Sequence, residues 1–167
     1  DVRPHEIAMA LTEDDRLMEV SCEERGKDTF AVGNIYYGRV KKVMPALNAV
    51  FVDVGCEKEA FLHYLDLGTD FLTMQKYVSR VSDRRHIPEM RKQERQPECT
   101  KEGRIADYLK VGDTLLVQVT KEPINSKGPR VTAEISITGR NFVLMPFMDK
   151  VLVSNKIKRE SERGRLK

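Results

Sequence analysis

Three aromatic side chains and a set of basic ones stand out in the 167-residue chain. Asn48 to Leu65 reads NAVFVDVGCEKEAFLHYL, two short apolar runs about a charged turn. Strand side chains alternate faces, so parity sorts them. Val50, Val52 and Val54 share the core side, which leaves Ala49, Phe51 and Asp53 on the other. In the second run Ala60, Leu62 and Tyr64 alternate with Glu59, Phe61 and His63. Phe51, Phe61 and His63 thus fall on the face the aliphatics avoid. An exposed aromatic beside positive charge suits single-stranded nucleic acid. A base stacked on a ring contributes about 1–3 kcal/mol, and phosphates take Lys and Arg. In NIYYGRVKKV, Tyr37, Arg39 and Lys41 share one parity; in NSKGPR, Lys127 and Arg130 flank Gly128, which lets backbone turn close to a ligand. Two blander readings stand beside this one. A neighbouring segment can cover an outward Phe, and basic residues on an edge strand keep it soluble.

No catalytic constellation accompanies these residues. TEDD, Thr12 to Asp15, has consecutive acids, but at a hairpin tip they point apart and read as a solvated turn rather than a metal site. No Gly-rich phosphate loop precedes a helix, and no Ser or Cys nucleophile has a base partner. Cys22, Cys56 and Cys99 are far apart and form no C-x-x-C pair, and His5, His63 and His86 complete no ligand cluster. A disulfide framework and a zinc site are therefore not expected, and the cytoplasm is the natural compartment. No apolar run approaches the roughly 18 residues of a membrane span. The chain begins at Asp1, which reads as a piece of a longer protein.

At 40% apolar and 33% charged residues, the chain can bury a real core. Net charge is only +3, but it is uneven: four basic against nine acidic residues in 1–30, and seven against two in 150–167. A basic middle and tail are compatible with a polyanion partner.

The elements that must position these side chains are mostly strands. EIAMAL and RLMEVSC about the TEDD turn read as a hairpin, which must pack on something else to be stable. From Asn34 the chain reads as a compact β-domain. NIYYGRVKKV is a first strand, with a bend or bulge at Gly38; AVFVDV and AFLHYL follow, then TLLVQVT and RVTAEISI. Five short strands in about a hundred residues suggest a small Greek-key barrel of the oligonucleotide-binding type. The excursion 66–110 has few aliphatics and many charges. It reads as a helical start over Phe71 to Val81, then a solvated surface loop. Arg84, Arg85, Arg91, Lys92 and Arg95 would be its accessory phosphate contacts. After the barrel, NFVLMPF and VLVSNKI read as strands and RESERGRLK as the first turns of a helix.

G-R-V-x-x-V at Gly38 to Val43, A-V-F-V-D-V-G at Ala49 to Gly55 and A-F-L-H at Ala60 to His63 resemble the S1 RNA-binding domain, an oligonucleotide-binding barrel. More specifically, GNIYYGRVKKVMPALNAVFVDVG followed by QVTKEPINSKGPRVTAEISITGRNFVLMP resembles the amino-terminal part of the ribonuclease E/G family of bacterial endoribonucleases. The resemblance covers the chain apart from the 66–110 excursion. It implies a mainly β chain, with an S1-like barrel over 34–138 inserted in a subdomain similar to ribonuclease H, whose parts are 1–33 and a truncated 139–167. It matches the family's RNA-contacting surface at Phe51, Phe61 and Lys127; His63 and Arg130 rest on local geometry alone. It also implies that the magnesium-binding aspartates, the pocket for a 5′-monophosphate end and the zinc-linking cysteines lie beyond Lys167. The expectation is therefore single-stranded RNA as partner and no cofactor or catalytic residue in this stretch. Magnesium belongs to the full-length enzyme, which is free to oligomerise. An S1-type module of a translation or transcription factor and a protein-interaction barrel are the alternatives.

Overall fold

The computed structural model describes residues 6–24, 30–82, 89–125, 127–148 and 151–167. Its centre is a closed barrel of five strands. These are β3 (Ile35–Met44), β4 (Ala49–Asp53), β5 (Ala60–His63), β6 (Thr114–Lys121) and β7 (Arg130–Thr132). Around the barrel the order is β3-β4-β5-β7-β6, closing back on β3. Every pairing is antiparallel except the parallel one between β5 and β7. This is the Greek-key connectivity of an oligonucleotide-binding barrel.

Alternation fills it. Val40, Val50, Val52, Leu62, Leu115, Val117, Val119 and Val131 are all buried. Gly38 also points inward, where a Cβ would press on a Val52 methyl and the Asp53 carbonyl. Gln118 is a buried polar group, and it is satisfied: its amide donates to the carbonyls of Gly33 and Ser136 and accepts from the Ser136 N–H. One side chain thereby ties the approach to the barrel to its exit.

Several expectations change. The bulge in β3 lies at Lys41–Lys42 rather than at Gly38, because the register passes from Val40↔Val52 to Lys42↔Phe51. The RVTAEISI run breaks after Thr132; its end, β8 (Ile137–Thr138), instead pairs with β9 (Val143–Leu144). The run from Val151 to Ile157 is not a strand, since no described strand pairs with it. A short helix, α2 (Glu160–Leu166), closes the chain.

The excursion departs most from its solvated reading. Helix α1 (Phe71–Ser82) forms as expected, and buries Phe71 and Thr73. Beyond Lys92, however, Cys99, Ile105 and Leu109 enter the barrel core. Asn48 clamps this segment, donating to the Gly103 carbonyl at 2.9 Å and accepting from the Ile105 N–H at 2.7 Å. Tyr64 adds a hydrogen bond to the Thr100 carbonyl. Burial pushes the Cys99 thiol pKa upward, as expected of an inert core cysteine. Arg84 and Arg85 lie outside the described residues.

At the other end, β1 (Glu6–Glu13) and β2 (Arg16–Glu24) form the expected antiparallel hairpin. Asp14 and Asp15 both take positive φ, 48° and 58°. Two left-handed residues make the tight turn whose twist matches a hairpin, and Asp tolerates that conformation.

Candidate nucleic-acid interface

β4 and β5 are neighbours, and their register sets Phe51 directly opposite Phe61. Side chains of a directly opposed pair stand on the same face, so the two rings meet on the outside of the barrel wall. Their centroids are 5.8 Å apart in an edge-to-face arrangement. His63, two residues along β5, lies 6.5 Å from Phe61. All three are half-buried, neither sealed in the core nor fully bare. Ala49, of the same parity as Phe51, is completely buried. The outer face is therefore open at Phe51 and closed at the start of β4.

His63 Nδ1 accepts the Leu65 N–H and caps the turn Tyr64–Asp66. A neutral imidazole accepting there carries its proton on Nε2, so the ring presents a donor. Arg130 pairs with Phe61 across the parallel ladder. Its Nη2 and Nε both donate to Asp66 Oδ2, at 2.8 and 3.1 Å. The guanidinium is thus held in place and partly neutralised.

Gly128 has a different role from the one expected of it. A Cβ there would overlap the Glu59 carbonyl, so the glycine lets the loop lie against the turn before β5 rather than against a ligand. Pro129 then accepts the Phe61 N–H at 2.8 Å. Lys127 stands exposed beside this anchored backbone, itself in a bridge with Ile124.

Most of the remaining described basic and tyrosine candidates already have partners within the chain. The Tyr37 and Thr114 hydroxyls are 2.7 Å apart, and Arg39 donates to the Gly112 carbonyl. Lys41 pairs with Asp53 at 3.1 Å. The Gly55 N–H, and after it Lys41, hold the Asp53 carboxyl below its ordinary pKa. In the excursion, Arg95 bonds to Asp70 and to the Phe147 carbonyl, and Lys92 to Glu89. Arg91 is exposed. The structure thus groups Phe51, Phe61, His63 and Arg130, with Lys127 on the adjoining loop, while Tyr37 and Arg39 are tied to β6 and the turn before it.

No protein-family model matches the chain. Individual relatives do. The chain is 38% identical to ribonuclease G of Haemophilus influenzae over 167 residues, all of this chain and 30% of that protein. It is 36% identical to ribonuclease G of Escherichia coli K12 over the same span. Ribonuclease E of Synechocystis sp. is 38% identical over 137 residues, 81% of this chain and 16% of that protein. The chain belongs to the ribonuclease E/G family. It spans about 30% of the length of the ribonuclease G relatives.

Among the described residues, no group of three or more His, Cys, Asp or Glu side chains converges as a metal site would require. Among the described residues, no helix is long and apolar enough to cross a membrane.

One residue escaped the sequence reading. The bulge gives both Lys41 and Lys42 to the outer face, and it is Lys42 that sits opposite Phe51. The signal was present: Val40 and Val43 both face the core, yet they stand three apart, which strict alternation forbids.

Proposed function

We propose that this chain is the RNA-gripping part of a ribonuclease E/G-type endoribonuclease acting in RNA processing and decay. The observation that carries the reading is the Phe51–Phe61 pair, two rings in edge contact on the outer wall of an oligonucleotide-binding barrel. Bases stack on these rings, His63 offers a donor beside them, and Lys127 and Arg130 meet phosphates. The hairpin β1–β2 and the stretch after β8 belong, in this reading, to a ribonuclease H-like subdomain that hosts the barrel. Cleavage, with its magnesium, falls to the rest of the enzyme in the cytoplasm.

Titration of the chain with fluorescein-labelled decauridylate tests the reading. The Lys127 and Arg130 contacts on a single strand predict that affinity falls by at least about sevenfold between about 50 and about 200 mM salt. A chain that shows no saturable binding at the lower salt, while remaining folded, is not an RNA-gripping module, and the protein-interaction alternative takes its place.

Asp53 supplies a second, opposite-signed prediction. Its carboxylate lies on the aromatic face and occupies Lys41. Asp53→Asn keeps an oxygen for the Gly55 N–H but removes the negative charge and releases Lys41. Affinity for decauridylate is expected to rise about two- to fivefold at low salt. The gain should vanish at high salt, as screening removes it.

A further inference from the structure

The barrel register lines up four side chains on one face in a row that crosses the strands: Lys42, Phe51, Phe61 and Arg130, from β3 through β4 and β5 to β7. With neighbouring strands about 4.8 Å apart, this row is about 14 Å long, a cation at each end and two aromatic rings between. We propose that Lys42 is a phosphate contact that sets the path of the RNA across the barrel strands, with two stacked bases lying between the Lys42 phosphate and the one at the Arg130 end.

The choice of Lys42 over its neighbours follows from what each is bound to. Arg39 is committed to the Gly112 carbonyl and Lys41 to Asp53. A path along β3 would therefore meet cations already engaged, one of them beside a carboxylate. The Lys42 side chain is exposed, makes no ion pair or hydrogen bond among the described residues, and stands directly across from Phe51. The bulge is what puts it there. In an unbulged strand the side chain after Lys41 would turn into the core, where the chain places Val43 instead. Lys41 in turn neutralises Asp53, so the phosphate approaching Lys42 does not meet a bare negative charge next to Phe51.

This assignment rests on the stacking reading, and the experiment separates the two. Lys42→Gln and Lys42→Arg are titrated with labelled decauridylate at several salt concentrations, beside Phe51→Ala, with thermal unfolding as the check on folding. Lys42→Gln is expected to weaken binding about three- to tenfold at low salt. The slope of log affinity against log salt should become shallower by about 0.7, the value of one phosphate contact on a single strand. Lys42→Arg should retain both. Unchanged affinity and slope in Lys42→Gln, with Phe51→Ala weakened, overturns the Lys42 contact and leaves stacking standing. If Phe51→Ala is unchanged as well, the stacking reading falls and this inference with it.

Discussion

Replacing Phe51 and Phe61 together with alanine is expected to lower affinity for decauridylate by about thirtyfold or more. Each stacked base contributes about 1–3 kcal/mol, and a factor of ten corresponds to about 1.4 kcal/mol. The fold should survive. Both rings stand on the outer wall, while Val50, Val52, Ala60 and Leu62 on the inner side make the core. What is lost from stability is the burial of two half-buried rings together with their mutual contact, the latter worth about 0.5–1.5 kcal/mol. Because the rings touch at 5.8 Å, the single variants need not add up to the double one: removing one ring also frees the other to move. Fluorescence anisotropy on a double variant that unfolds cooperatively decides the matter. A folded double variant that binds like the parent protein excludes these rings as the stacking platform.

The face that carries this prediction was readable because strand alternation is a local rule. Phe51 and Phe61 break the aliphatic pattern within a few residues of it, and the structure sets them side by side. Features that depend on distant partners were less readable. Asp66 reaches Arg130 across a sequence separation of 64, and no local signal announces that an arginine in a basic loop is already paired. Gly128 was recognisable as a close-approach residue, but its neighbour is the backbone of Glu59, not a ligand. Glycine marks the closeness without naming the partner. The Val151–Ile157 run has strand composition and still forms no strand, since composition supplies no neighbour to pair with. The bulge in β3 falls between these cases. Its signal is local, in the spacing of Val40 and Val43, but a parity count that stops at Lys41 does not reach Lys42.

The excursion is the clearest case of structure hidden from pattern, and Ile105→Ala tests it. Ile105 is fully buried, as are Leu109, Leu62 and Leu67 of the same core cluster. A single apolar pair four apart, Ile105 and Leu109, among charged residues is too short to mark an element, so the segment reads as solvated loop. Its anchors are mostly backbone groups of Thr100, Gly103 and Ile105, which no side-chain pattern displays. Truncating a buried isoleucine costs about 2–5 kcal/mol. For a domain of this size that lowers the melting temperature by about 5–15 °C. A residue on a solvated loop would cost at most about 0.5 kcal/mol, so thermal unfolding distinguishes the two cases cleanly. The consequence for RNA is separable. Asn48, which clamps this segment, immediately precedes β4, and its carbonyl accepts the N–H of Tyr64 at the end of β5. Through Asn48 the excursion thus braces the strands that carry Phe51 and Phe61. Below its lowered melting temperature, Ile105→Ala should therefore bind decauridylate within about twofold of the parent chain. Weakened binding by the fully folded variant would mean that the brace also sets the spacing of the two rings.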